Sequence, residues 1–172
     1  MSLQLRSGLT TGTIAKPTRP SVSRETGEGL RPGRLEVNVI FTDPQATVVA
    51  LKTAGSLARH LGACIRLRAT IPVPYPLPLD KPPVSIPFIE RLLSELVGGL
   101  AQDSFEPTVH VYLCRNQIAT LFRVLSPNSL VVIGGRRHWW PTAASRMAKA
   151  LRSKGHRVVF VGLTRGTKSD LR

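Results

Sequence analysis

A short apolar run that stops at two glycines constrains the fold more than any other part of the sequence. Leu130 to Ile133 predicts a buried strand, and Gly134 and Gly135 predict a tight turn after it. The segment from Pro141 to Lys154 has helix formers and apolar residues at helical spacing, and a second apolar run, Val158 to Val161, predicts another buried strand. Strand, turn, helix and strand form a parallel crossover unit.

The rest of the chain repeats this alternation. Asp43 and Pro44 are typical of a helix start, and Gly62 is typical of a helix end. Further strands are predicted at 35–42, 64–71 and 109–113, and further helices at 88–100 and after Asn116. The order β-α-β-α-β-α-β-α-β predicts an α/β fold, a five-stranded parallel sheet with helices on both faces.

Composition divides the chain into one domain and two tails. Residues 1–34 are rich in Ser, Thr, Gly, Pro and Arg and lack apolar periodicity, which predicts a disordered or extended basic tail. Residues 35–164 contain every predicted strand and helix. Residues 165–172 form a short polar tail.

Positive charge is the unusual compositional feature. The formal net charge is +14, and from Arg136 onward ten basic residues face a single acid, Asp170. Such a segment attracts polyanions, so nucleic acid is one candidate partner, with a solvated basic surface as the plainer alternative.

Compartment and cysteine use follow from simple counts. No run approaches the roughly 18 apolar residues of a spanning helix, and the N-terminus lacks an apolar signal region, so we expect no membrane span and a cytoplasmic protein. The two cysteines, Cys64 and Cys114, lie in predicted strands, where we expect core residues rather than a disulfide or a metal site.

Two stretches between the strands allow more than one interpretation. Arg66 and Arg68 alternate with apolar residues, which predicts a less completely covered face or a position near a sheet edge. Seven prolines between Pro72 and Pro87 predict a non-helical loop, either a rigid connector or a contact surface for a protein partner.

Ligands of such sheets lie at the carboxyl ends of the strands, where the strand order reverses. Asp43 after the first strand and Gly134 and Gly135 after the fourth are the natural pair. Glycines before a helix favour an anion, and Arg136 and Arg137 add charge, so the sequence predicts a phosphate site there. Asp43 has an equally weighted alternative role as a helix cap.

Signatures of catalysis are not found. The sequence has no G-x-G-x-x-G after the first strand, no Walker A motif, no H-E-x-x-H and no G-x-S-x-G. The four histidines are scattered, and we expect surface or turn positions for them. We therefore expect a binding protein rather than an enzyme, with at most a very slow nucleotide hydrolysis.

The first strand ending at Asp43, the helix closing at Leu61-Gly62-Ala63, and Val131 to Arg136 resemble the universal stress protein family. The resemblance covers about residues 35–162. It implies the five-stranded parallel fold, ATP bound through an aspartate after strand one and a G-x-x-G-x9-G-[S/T] motif after strand four, and a dimer formed through strand five.

The resemblance also implies positions for the site. Asp43 stands at the aspartate position, Gly134 at the first motif glycine, Arg136 where a basic residue is frequent, and Ser145 at the closing serine. Thr70 lies near the strand end that lines the adenine pocket. Arg137 and Ala144 replace the second and third glycines, so Arg137 either blocks phosphate sterically or contacts it through its charge. The full candidate set is Asp43, Thr70, Gly134, Gly135, Arg136, Arg137 and Ser145.

Three hypotheses result. The leading one is a cytoplasmic, dimeric universal stress protein-like module, paired through Val158–Val161, that binds ATP or another adenine nucleotide. The second is a nucleotide-free scaffold, with Pro72–Pro87 and Trp139-Trp140 as contact features. The third is a non-specific nucleic-acid binder acting through the basic C-terminal segment.

Overall fold

The computed structural model describes residues 35–99, 107–136 and 142–163. The two predicted tails, 1–34 and 165–172, lie outside these ranges. Strands and helices alternate in the predicted order: β1 Glu36–Ile40, α1 Pro44–Leu61, β2 Cys64–Pro72, α2 Ile86–Gly98, β3 Thr108–Cys114, α3 Gln117–Val124, β4 Leu130–Arg136, α4 Ala143–Ser153 and β5 Arg157–Leu163.

The five strands form one sheet in the order β3-β2-β1-β4-β5, and every neighbouring pair is parallel. This confirms the predicted five-stranded parallel α/β fold. The central strand β1 pairs with β2 on one side and with β4 on the other, so the strand order reverses between β1 and β4. β5 lies at one edge of the sheet.

Each face of the sheet is covered by two helices. One hydrophobic cluster joins α1 and α2 to residues of β1, β2, β3 and β4, including Val39, Leu67 and Val111. The other joins α3 and α4 to Ile40, Val131 and Ile133. This arrangement follows from right-handed crossovers, because the chain moves toward β3 over one face and toward β5 over the other.

Short sequence signals set the helix ends. The Asn116 side chain accepts a hydrogen bond from the Ala119 N–H at 3.1 Å and caps α3. Gly62 ends α1 in the left-handed conformation, with φ of 61°, which glycine adopts without steric cost. α2 begins at Ile86, two residues earlier than predicted, because Pro87 is compatible with the first helical turn.

Among residues 35–99, 107–136 and 142–163, no helix combines the length and the apolar character that a membrane span requires.

Candidate functional site

The carboxyl ends of β1 and β4 are joined by Thr42, the residue just before Asp43. Its hydroxyl donates to the carbonyl oxygen of Gly134 at 2.8 Å. Its N–H donates to the Thr47 hydroxyl at 3.3 Å, inside the first turn of α1. Sequence reasoning missed Thr42, although a hydroxyl directly after the first strand was a usable signal. The bond holds the two strand ends together where the strand order reverses.

Asp43 acts as the N-cap of α1. One carboxylate oxygen accepts a hydrogen bond from the Ala46 N–H at 2.9 Å, and its carbonyl accepts one from the Thr47 N–H at 2.9 Å. The positive end of the helix dipole stabilises this carboxylate. Of the two roles left open for Asp43, capping is therefore present.

The predicted glycine turn is wrong, because Gly134 and Gly135 continue β4. They pair with Val161 and Gly162 of β5. A Cβ on Gly134 would overlap the carbonyl group of Ala46 in α1. The absence of a side chain at Gly134 thus permits close approach of a helix to the sheet, a packing role that the sequence pattern did not reveal.

Gly135 faces the other side of the sheet, where α4 packs. A Cβ there would lie 2.7 Å from Cζ of Phe160 and 3.0 Å from Cβ of Ala144, closer than ordinary contacts. Both glycines are therefore surrounded by protein atoms. Neither one forms the anion-binding turn that the sequence predicted.

α4 starts beside Gly135. Thr142 caps the helix by accepting from the Ser145 N–H at 3.2 Å, and the Ser145 hydroxyl donates to the Thr142 carbonyl at 2.9 Å. The predicted site residue Ser145 is therefore half-buried in the first turn of α4. Arg136 ends β4 with an exposed side chain, whereas Arg137 lies outside the described residues.

Thr70 is the predicted site residue with unmet hydrogen-bonding capacity. It lies near the carboxyl end of β2 and is 2% exposed, and its hydroxyl has no hydrogen-bond partner among the described residues. The Thr70 carbonyl, by contrast, accepts from Nε2 of Gln117 at 2.7 Å. A buried hydroxyl without a partner costs on the order of 1–3 kcal/mol, so this group calls for a partner that the described residues do not supply.

A buried polar cluster adjoins Thr70 on the same face of the sheet. Arg68 is 5% exposed, and its guanidinium donates to Asn38 Oδ1 at 2.7 Å and to the Tyr112 hydroxyl at 2.8 Å. Burial lowers the pKa of Arg68. Of the two arginines that alternate with apolar residues, Arg68 belongs to a buried polar layer, whereas Arg66 is half-buried and pairs with Glu36. β2 lies next to the edge strand β3, which agrees with the predicted position near a sheet edge.

The expectation of surface or turn histidines is wrong for His110, which is buried within β3. His156 lies in the connection between α4 and β5, as a turn residue would, but it is buried as well. Within the described part of the chain, no group of His, Cys, Asp or Glu side chains is arranged to hold a metal ion.

The Pro-rich connection is held in place by Arg115. The guanidinium donates to the carbonyls of Val73 and Leu77, both at 2.7 Å, and lies 4.1 Å from the ring centroid of Tyr75. Tyr75 is 80% exposed, and Leu77, Leu79, Val84 and Phe88 are exposed as well. The predicted loop is therefore ordered and presents an apolar surface beside the carboxyl edge.

Comparison with known proteins gives fold-level likenesses. No protein-family model and no curated protein sequence matches the chain. A universal stress protein from Archaeoglobus fulgidus superposes with a TM-score of 0.55 at 16% identity, over 74% of this chain and 93% of the other. The A. fulgidus protein solved in complex with dAMP gives 0.53 at 14% identity, over 75% and 98%.

A third solved structure agrees. A protein of the universal stress protein family from Burkholderia pseudomallei gives a TM-score of 0.50 at 14% identity, over 74% of this chain and 96% of the other. All three cover nearly the whole of the compared chain and share the parallel sheet described above. This chain has the universal stress protein fold.

Proposed function

We propose that this protein is a universal stress protein-like regulatory or stress-response module that binds an adenine nucleotide at the carboxyl edge of β1, β2 and β4. The carrying observation is the buried Thr70 hydroxyl without a partner, at the strand end that the family resemblance assigns to the adenine pocket. A base or ribose supplies the donors and acceptors that such a hydroxyl needs. The A. fulgidus structure with dAMP supports the ligand class.

The phosphate part of the proposal depends on charge more than on the glycines. Gly134 and Gly135 are strand residues packed against Ala46, Ala144 and Phe160, so these two glycines do not themselves provide a phosphate-binding turn. Arg136, exposed at the end of β4, offers a charge-assisted contact instead. The proposed ligand class therefore includes both ATP and adenine nucleotides with fewer phosphates.

We infer binding without turnover, because Asp43, the carboxylate predicted for this edge, is engaged as a helix cap. We place the protein in the reducing cytoplasm. Cys64 and Cys114 are free thiols, which suits that compartment.

Calorimetric titration with Mg-ATP and with dAMP tests the proposal, using Thr70→Val as the main variant. We expect the native protein to bind and the variant to bind roughly tenfold more weakly, because one contact to the ligand is lost. The same variant should be more stable, because a buried hydroxyl without a partner is removed. We expect the free energy of unfolding to rise by up to about 1 kcal/mol and the unfolding temperature to rise with it.

Thr47→Val is the matched control. The Thr47 hydroxyl is equally buried but accepts from the Thr42 N–H, so its removal should lower stability by about 1 kcal/mol. Absence of nucleotide binding by the native chain would contradict the proposal. Recovery of binding in Arg137→Gly would then identify Arg137 as the residue that closes the site.

A nucleotide-free scaffold is the second candidate, and the Arg115-held loop favours it. Exposed Tyr75, Leu77 and Phe88 form an apolar contact surface for a protein partner. Arg115→Ala removes two hydrogen bonds to the loop carbonyls and should loosen residues 73–77. Hydrogen exchange would show the loss of order. Weaker capture of a protein partner by the variant, together with absence of nucleotide binding by the native chain, would favour the scaffold.

We also propose a homodimer formed through Val158–Val161 of the edge strand β5. The Arg157 N–H donates to the Ser129 carbonyl and therefore points toward β4. Because the backbone groups of successive strand residues point to opposite sides, those of Val158 and Phe160 point toward the free edge. Arg152 donates to the Val158 carbonyl at 3.1 Å and leaves the other groups available for pairing. Edge strands of this kind are templates for strand addition.

Sedimentation velocity tests the dimer. Val158→Pro removes a free-edge N–H without touching the bonds to β4, so it should shift a native dimer to monomer. A monomeric native protein would contradict this part of the proposal.

A further inference from the structure

Positive charge is distributed unequally over the described residues. Residues 35–99 contain six Lys or Arg and five Asp or Glu. Residues 107–136 and 142–163 contain eight Lys or Arg and no acid. The excess is therefore concentrated in the half of the chain that supplies α3, α4 and the β4–β5 side of the sheet.

α4 carries much of this charge on its exposed side. Its apolar side chains, Ala144, Met147, Ala148 and Leu151, are buried against the sheet. Arg146, Lys149 and Arg152 are exposed and follow one another at three-residue spacing, and Lys154 follows at the C-cap. We call these four residues the α4 basic face.

Local contacts fix the far end of this face. Arg152 donates to the Val158 carbonyl at 3.1 Å, and Nζ of Lys154 lies 5.5 Å from the ring centroid of Phe122 in α3. Arg123, in the last turn of α3, also has an exposed side chain. The ion pair of Glu36 with Arg66 joins β1 to β2.

We propose that the α4 basic face binds the phosphate backbone of double-stranded nucleic acid. The helix rises about 1.5 Å per residue, so the four cations span roughly 12 Å, a length over which a duplex presents about seven phosphate charges. Binding of this kind neutralises phosphates, releases counterions and is independent of base sequence.

The chemistry of α4 argues against two other anionic partners. A helix that lies on a membrane inserts an apolar face, but the apolar face of α4 is already buried against the sheet. Single-stranded nucleic acid is bound by stacking bases on aromatic side chains, and α4 has none. A nucleic-acid duplex needs only cations for contacts to its phosphates, so it fits the α4 basic face better than a membrane or a single strand does.

The experiment measures fluorescence anisotropy with labelled DNA and RNA duplexes of about 20 base pairs, between about 50 and 200 mM KCl. With four phosphate contacts, the logarithm of the affinity should fall with the logarithm of salt with a slope near −3.6, a loss of roughly 100-fold over this range. Arg146→Glu/Lys149→Glu should weaken binding at least about tenfold and reduce the slope by about 2.

Lys52→Glu/Arg59→Glu on α1 is the matched control, since both residues are exposed on the opposite side of the sheet and the net charge changes equally. This variant should retain most of the native affinity. Equal losses in the two variants would overturn the proposal in favour of net charge alone.

Two further outcomes would also overturn it. One is absence of duplex binding at about 50 mM salt. The other is binding to phosphatidylcholine vesicles that contain phosphatidylserine, lost in Arg146→Glu/Lys149→Glu, without any binding to the duplexes. Circular dichroism melting curves of all variants should match the native curve, because the four substituted side chains are exposed.

Discussion

The two faces of the sheet differ in the polarity of the side chains that they bury. Beneath α1 and α2, the strands present an apolar surface that includes Val39, Leu67 and Val111. Beneath α3 and α4, the surface is apolar at β4 and at Ile40 of β1, but it is polar at Asn38 of β1 and over β2 and β3. The buried polar residues there are Asn38, Arg68, Thr70 and His110.

Helix length accounts for part of this difference. α1 has 18 residues and buries seven of them, whereas α3 has eight residues and buries Thr120 and Leu121. A helix as short as α3 offers little apolar surface to three strands. Hydrogen bonds from Arg68 to Asn38 and Tyr112 satisfy most of the polar groups that remain, and Thr70 is left without a partner.

The largest expected effect is on the α1 face. Gly134→Ala should lower the free energy of unfolding by at least about 3 kcal/mol, because the new Cβ overlaps backbone atoms of Ala46 and the helix must move away from the sheet. Chemical denaturation would measure the loss. Gly98→Ala is the control, since nothing lies within 4 Å of a Cβ there, and it should leave stability nearly unchanged or raise it.

The corresponding substitution on the α4 face should cost less. Gly135→Ala meets the end of the Phe160 side chain, which can move, and the Cβ of Ala144, which moves only with α4, so we expect a loss of about 1–3 kcal/mol. Adding Phe160→Leu should recover part of it. An equal loss for the two glycine substitutions would show that backbone and side-chain neighbours constrain them alike.

The polar layer gives an intermediate effect. Arg68→Met should lower the free energy of unfolding by about 1–3 kcal/mol, because Asn38 and Tyr112 lose their partner in a buried environment. Replacing all three, with Asn38→Leu and Tyr112→Phe added, should restore stability to near the native value. A triple variant less stable than Arg68→Met would show that the layer contributes more than mutual satisfaction of its hydrogen bonds.

The smallest effect is a pH dependence at the amino-terminal end of β5. Burial lowers the pKa of His156, whose Nδ1 lies 3.0 Å from the Ser129 hydroxyl. The unfolded chain therefore takes up this proton more readily than the folded one. The contribution of neutral His156 to the free energy of unfolding should be complete above pH about 6.5 and should decline as the pH falls below that value.

Thermal melting of the native protein and of His156→Gln between about pH 5 and pH 8 would measure this dependence. The variant should show a shallower decline in acid. His60→Gln is the control, because His60 is exposed and should leave the native profile in place. Identical profiles for all three proteins would assign the acid sensitivity to other groups.

Prediction succeeded where the determinants are local. Asp43, Asn116 and Gly62 mark helix ends because capping depends on residues within one turn, and the apolar runs mark strands because buried parallel strands need them. Prediction failed where a distant segment decides. Gly134 and Gly135 form no turn because α1, Phe160 and Ala144 lie against them. His156 is buried because the chain returns beside Ser129.

Residue pattern alone predicts the alternation of strands and helices, the parallel sheet, and the carboxyl edge at which the chain leaves β1 and β4 toward opposite faces, because hydrophobic periodicity and crossover handedness suffice for these features. The tertiary fold sets what lies at that edge. It assigned Asp43 to capping and the glycines to close packing, joined the strand ends through Thr42, and left the Thr70 hydroxyl buried without a partner. These outcomes depend on contacts between segments that are distant in the sequence, and local residue pattern does not predict such contacts.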